Sequence, residues 1–241
     1  MVHITRNASP WFLLISKKQY KWTVRTVPGA HSLNQSVPLS ILLRDYIHAA
    51  VTLKEAKTII SSGEVLVDGK VRLDYRFPVG LMDVISIPSA DLYYRIIPDN
   101  ARFLKAIEIP REESSFKLVR ILNKSLVKNG DLQLNLDSGR NIQIIKDNIA
   151  EYKYSTLTTL KIALPNQEIL ETYELKEGNY GIIIGGKNAG RHGIIGKIQM
   201  SQYKRRVYSV VNIQSKDGKT YESNLENIMA IGTTQPVIKV E

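Results

Sequence analysis

Apolar and polar positions alternate in two distinct rhythms along the 241 residues. From Pro38, which suits a first helical turn, Leu39, Leu42, Leu43, Tyr46, Ile47 and Ala50 recur at the i, i+3, i+4, i+7 spacing of one apolar helical stripe. Thr52 with Glu55 three residues later makes a capping box, so a second helix is expected to start there. Ala56, Ile59 and Ile60 give it an inward face, Gly63 a stop, and Lys54, Lys57 and Ser61 the opposite face. The rhythm then shortens to two. "VLVDGKVRL" places Asp-Gly between apolar runs, the strongest short hairpin signal. Beyond it, "FPVGLMDVISI" reads as a turn and another strand, and "GDLQLNLDSGRNIQII" and "LKIALP" alternate with further turns. The tail reads as about five short strands: "YGIII", "HGIIGKI", "KRRVYSVVNI", then an Asp217-Gly218 turn and "TYESNLENIMAIG". Residues 1–37 lack clear periodicity and read as an extended arm.

The expected fold is therefore α+β and multi-domain: a basic arm over 1–37, a helix–hairpin unit over 38–90, a central β domain over 91–172 and a small closed or half-closed barrel over 173–241. The chain has no cysteine, so it has no disulfide framework and no thiolate metal site, as fits an intracellular protein. Its four histidines lie far apart, and no metal or cofactor is expected. "WFLLI" is too short for a signal-peptide core, and no run is long enough to span a bilayer, so no membrane partner is expected.

Charge changes the picture more. Lys and Arg exceed Asp and Glu by 33 to 23. The arm has five basic residues and no acidic one, residues 38–90 six of each, residues 91–172 twelve against eleven, and residues 173–241 ten against six. A surplus at both ends points to a polyanion. In "KKQYKWTVR", Lys17, Lys18, Lys21 and Arg25 interleave with Tyr20 and Trp22, a pattern in which cations neutralise phosphates while rings stack on bases. The same aromatics, with Trp11, could equally pin the arm onto the next domain. Lys54, Lys57, Lys70, Arg72 and Arg76 are candidates for convergence on one surface of the helix–hairpin unit. Lys204, Arg205 and Arg206 make a further basic run near the end.

"GIIIGGKNAGRHG" carries Gly181, Gly186 and Lys187 at the spacing of a phosphate-binding loop. That loop needs Ser or Thr after its lysine, to ligate magnesium, and a helix behind it. Here Asn188 follows, and Gly190, Gly193 and Gly196 oppose a helix. No nucleotide is expected.

"TLKEAKTIISSGEVLVDGK" resembles the compact αL RNA-binding domain of bacterial ribosomal protein four, pseudouridine synthases and tyrosyl-tRNA synthetases. Thr52, Ala56, Lys57, Gly63, Val65, Val67, Asp68 and Gly69 stand at its signature positions, while Leu53 replaces its first arginine. "GGKNAGRHGIIGKI" resembles a KOW motif, with Gly190 in place of its near-invariant glycine. Both modules in this order, with "SPW" ahead and "VDGKVRLDYRFPVGLMDVISIP" between, resemble the archaeal and eukaryotic small-subunit ribosomal proteins four of the "e" class across nearly the whole chain. "FKLVRILNK", "LDSGRNI" and "NIMAIG" agree. The start departs, keeping only His3 and Arg6 before the Ser-Pro step.

The resemblance implies an SH3-like KOW barrel at the end, no catalytic activity, and cytoplasmic residence in the small ribosomal subunit. It also implies small-subunit rRNA and neighbouring small-subunit proteins as partners. It adds Lys187, Gly190, Arg191 and His192 to the candidate RNA-binding residues. Two alternatives compete. "RLD" at Arg72, Leu73 and Asp74 echoes a pseudouridine synthase motif, but it lies inside the αL unit with Val71 ahead of it. A transcription-associated KOW protein would not need the αL unit.

Overall fold

The computed structural model describes residues 3–145, 154–215 and 218–240. Those residues are mostly β, with few and short helices, and fall into two compact units: Met1–Ile97 with Leu104–Lys117, and Pro98–Phe103 with Leu118–Glu241.

In the first unit the start of the chain is not an extended arm. His3–Thr5 pairs antiparallel with Trp22–Val24, and the Arg6 side chain donates to the Trp22 carbonyl (3.2 Å) and the Ser16 carbonyl (2.5 Å), closing the loop between them. Phe12 and Leu13 are buried, and the Tyr46 hydroxyl donates to the Phe12 carbonyl at 2.8 Å. The anchor is thus Phe12 and Leu13, whereas Trp11, Tyr20 and Trp22 are 67%, 63% and 53% exposed.

The first helix also differs from expectation. Leu39–Ile41 is α-helical, but Leu42–Tyr46 widens into a π-turn, with the Ile47 N–H donating to the Leu42 carbonyl. Leu39, Ser40, Ile41, Leu42 and Leu43 are all buried, so this short segment is enclosed all round rather than along one stripe. The second helix, Leu53–Ser61, starts as the capping box requires. The Glu55 N–H donates to the Thr52 hydroxyl (3.2 Å), and the Glu55 carboxylate accepts from the Thr52 N–H (3.4 Å) and the Val51 N–H (2.9 Å). Ala56 and Ile60 are its fully buried residues.

The hairpin follows. Asp68 (φ 53°) and Gly69 (φ 74°) both take positive φ, as a type I′ turn demands, and Leu66 pairs with Val71 and Val67 with Lys70. The sheet runs Lys70–Val71, Leu66–Val67, Val84–Ile87, Leu92–Asp99, Phe103–Glu108. At its heart lies Lys117, with no exposed surface. Its ammonium donates to Asp68 at 2.9 Å and to Asp83, and His31 Nε2 lies 3.0 Å from Asp83. The two carboxylates also accept from the Val84 N–H and the Gly80 N–H.

The second unit has two five-stranded sheets. One has the order Asn141–Ile144, Leu132–Leu136, Phe116–Leu126, Thr159–Ala163, Ile169–Tyr173. Val119, Ile121, Leu134, Leu136, Leu160 and Ile162 form its core, the alternation the sequence displays. The other has the order Thr220–Asn224, Val210–Gln214, His192–Gln199, Tyr180–Ile183, Ile228–Gly232, around Ile183, Ile195, Val211, Ile213 and Ile228. "KRRVYSVVNI" is not one strand. Lys204 has φ 42°, the Val207 and Tyr208 amides fold back onto its carbonyl, and Arg205–Tyr208 is a helical turn before the strand begins. Asp217 lies outside the described residues. Arg120 links the two sheets: its guanidinium donates to the carbonyls of Glu226 (2.7 Å) and Ile228 (3.0 Å) and lies 3.5 Å from Asp137.

Candidate nucleic-acid interface

The capped helix Leu53–Ser61 and the segment after the hairpin bring several cations onto aromatic rings. The Lys57 ammonium sits 4.1 Å from the centroid of the Tyr75 ring, and the Arg76 guanidinium lies 5.7 Å from that same centroid. Arg72 lies over Phe77 at 4.4 Å. A cation held on a ring face keeps its charge while losing side-chain freedom, so less ordering remains when it meets a phosphate. Lys54 and Lys70 are exposed. Lys57, Arg72 and Arg76 are half-buried, so Lys57 does not belong to a merely solvated face.

Arg76 is also held by Asp74, through Nε at 3.0 Å and Nη2 at 2.8 Å. That hydrogen bond holds the Asp74 carboxyl below its usual range, against a smaller opposing push from burial. Asp74 is therefore already committed as an arginine's partner, which leaves the "RLD" sequence without a free catalytic carboxylate.

The N-terminal ribbon repeats the pattern. Arg6 lies over Tyr20 at 5.0 Å, and Lys21 over Trp22 at 5.3 Å. Lys17 and Lys18 are exposed on the same loop, with Lys17 donating to the Ser9 carbonyl at 3.1 Å, and Arg25 is half-buried after the second strand. Trp11 and Tyr20 are thus as open as Trp22, although only Trp22 stands among the candidate site residues.

The glycine loop joins the strands Tyr180–Ile183 and His192–Gln199, so a strand and not a helix follows Lys187. The phosphate-loop geometry is absent there. Lys187 and Arg191 are exposed, and Arg191 lies over Tyr221 at 5.2 Å. Two local contacts define this loop. His192 is not a lone surface imidazole: its Nδ1 is 2.8 Å from the Tyr180 hydroxyl. Gly190 packs against its own chain. It takes φ 82°, and a Cβ there would lie 2.9 Å from the Pro98 carbonyl oxygen and 3.2 Å from the Asp99 Cα, so the close approach is to the chain's own backbone.

Near the end, Lys204 lies 5.7 and 5.9 Å from the rings of Tyr203 and Tyr208, which stack with centroids 6.3 Å apart, and Arg206 is half-buried beside them in sequence. Arg205 belongs to the helical turn. Tyr75, Tyr203, Tyr208 and Tyr221 are ring partners that sequence reasoning missed. Tyr75, Tyr203 and Tyr208 each lie within four residues of a basic partner, but Lys57 reaches Tyr75 and Arg191 reaches Tyr221 only through the fold.

Sequence reasoning also missed the buried ion network. Its only visible sign was Asp68, inside the hairpin turn. Burial alone would push the Asp83 carboxyl up and is the largest influence on it, but Lys117 and His31 together outweigh burial and hold it below the usual range. Burial likewise opposes the charge on Lys117, yet the two aspartates raise its pKa.

A family model described as the S4 domain matches residues 40–85, and one described as ribosomal family S4e matches residues 90–169. The small ribosomal subunit protein eS4 of Metallosphaera sedula is 60% identical over 241 residues, 100% of both chains. That of Sulfurisphaera tokodaii is 54% identical over 235 residues, 98% of this chain and 97% of its own. The crystal structure of the 30S ribosomal protein S4e from Thermoplasma acidophilum superposes with TM-score 0.68 at 26% identity, covering 83% of this chain and 96% of that one. A capped helix, a tight hairpin and a matched S4 domain beside mainly β domains define an RNA-binding protein built on that domain. The chain belongs to the small ribosomal subunit protein eS4 family. It is a structural constituent of the small ribosomal subunit, in the cytoplasmic ribosome, and not an enzyme. Among the described residues no helix is long and apolar enough to cross a membrane.

Proposed function

We propose that the chain holds small-subunit rRNA through three basic–aromatic surfaces, and that neighbouring small-subunit proteins touch it elsewhere. The first surface is Lys54, Lys57, Lys70, Arg72 and Arg76. The second is the ribbon with Lys17, Lys18, Lys21, Trp22 and Arg25. The third is the last module, with Lys187, Arg191 and the run Lys204, Arg205 and Arg206; Gly190 shapes its loop and His192 supports it through Tyr180.

The modules of this reading are the basic N-terminal arm, folded here as a ribbon (1–37), the αL-type unit (38–90), the central β domain (91–172) and a KOW-type, SH3-like barrel (173–241). Five antiparallel strands and a glycine-rich loop between two of them support the barrel reading.

The observation that carries the proposal is the meeting of Lys57 and Arg76 on one ring, Tyr75, beside a capped helix. Basic side chains that grip phosphates release counterions, so log affinity falls linearly with log salt. The test is rRNA binding by the full chain and by a Lys54→Ala, Lys57→Ala variant over a salt series. The variant is expected to bind more weakly, with a slope shallower by about one for each phosphate it no longer grips. An unchanged slope would show the two lysines to be surface charge only.

A further inference from the structure

The central sheet has two edges, and both border one groove. Asn141–Ile144 pairs only with Leu132–Leu136, and Ile169–Tyr173 only with Thr159–Ala163, among the described strands. A cavity of about 850 Å³ is lined by Ile142 to Ile145 from the first edge and Gln167 to Thr172 from the second, with Tyr154 and Thr158 between them. A sheet edge presents N–H and C=O groups that have no neighbour to bond. Two edges bordering one groove offer that template on both sides. Ile145 and Leu170 are exposed apolar side chains at the groove, at 62% and 52%.

The described lining of this groove is acidic, whereas the chain as a whole is basic. Glu168, Glu171 and Glu174 line it, and among the described residues no Lys or Arg does, in a molecule carrying ten excess basic charges. Glu171 is bonded by Tyr173 and Lys161, and Glu174 by Lys176, but those lysines are not part of the lining. A phosphate backbone would be repelled here, and an apolar, acidic, edge-lined slot suits an extended basic polypeptide.

We infer that this groove takes an extended basic segment of another protein by strand addition, with backbone bonds to the edges, apolar side chains over Leu170 and Ile145, and basic side chains toward the three glutamates. The inference does not rest on the rRNA reading, since it concerns a different face and a different chemistry.

The probe is a labelled ten-residue peptide alternating lysine and valine, titrated into the full chain, with amide resonances followed by NMR. An alternating glutamate–valine peptide and a ten-nucleotide uridine RNA serve as the other arms. The lysine peptide is expected to shift the amides of 141–145 and 168–173. The variant Glu168→Lys, Glu174→Lys, first shown to melt as wild type does, is expected to bind it about tenfold more weakly. Equal binding of the two peptides, shifts confined to other residues, or the same amides responding to the RNA would each overturn the inference. If the first variant melts early, Leu170→Lys, on an already exposed side chain, provides the same comparison.

Discussion

Lys117 is where residue-scale energetics are most exposed to test. Its ammonium is fully buried between Asp68 and Asp83, and His31 also contacts the Asp83 carboxylate. Removing one partner of a buried charge pair leaves the other uncompensated, so Lys117→Met should destabilise the first unit by about 3–5 kcal/mol in chemical denaturation. The network also sets a pH window. The folded Asp83 carboxyl is held below its unfolded value, so its contribution is present above about pH 4 and is lost as pH falls through the depressed folded value. The Lys117 pKa is raised, so its contribution is present below about pH 10 and is lost only as pH rises through the raised folded value. Melting temperature should therefore be flat between those limits on this account and fall on the acid side, and Asp83→Asn should flatten that acid limb while lowering the plateau. Gly190 is the second such residue. With φ at 82° and Pro98–Asp99 in the way, Gly190→Ala should cost about 1–3 kcal/mol, read as a lower melting temperature of the second unit.

At the scale of elements, the sequence was most legible where local rules agree with tertiary context. The Thr52–Glu55 box, the Asp68-Gly69 turn and the alternation of Leu132, Leu134 and Leu136 all appear as the pattern implies. Each rests on near neighbours, which a sequence displays. What escaped depends on distant partners. The first helix opens into a π-turn at Leu42–Tyr46, which an apolar stripe does not reveal. The N-terminal segment folds into a ribbon because Arg6 reaches the Ser16 and Trp22 carbonyls, ten and sixteen residues on. The basic candidates were legible by type, but their rings, Tyr75 for Lys57 and Tyr221 for Arg191, were not, since those pairs form across folded elements. The cap gives an element-scale prediction. Thr52→Ala removes the acceptor for the Glu55 N–H and should cost about 1 kcal/mol, measured by denaturant titration, while loosening the helix that presents Lys54 and Lys57.

Across the whole molecule, the proposed rRNA contacts are spread over several surfaces. Lys187→Ala with Arg191→Ala should leave melting unchanged, because both side chains are exposed, and should weaken rRNA binding additively with Lys54→Ala and Lys57→Ala, since these sites lie in separate units. The most direct measurement is retention of the full chain on small subunits sedimented through a series of salt concentrations, comparing wild type with the variant lacking Lys54, Lys57, Lys187 and Arg191. The account predicts that wild type stays with the subunits in moderate salt, while the fourfold alanine variant, folded to the same melting temperature, dissociates at distinctly lower salt. Release of both chains at the same salt concentration would contradict it.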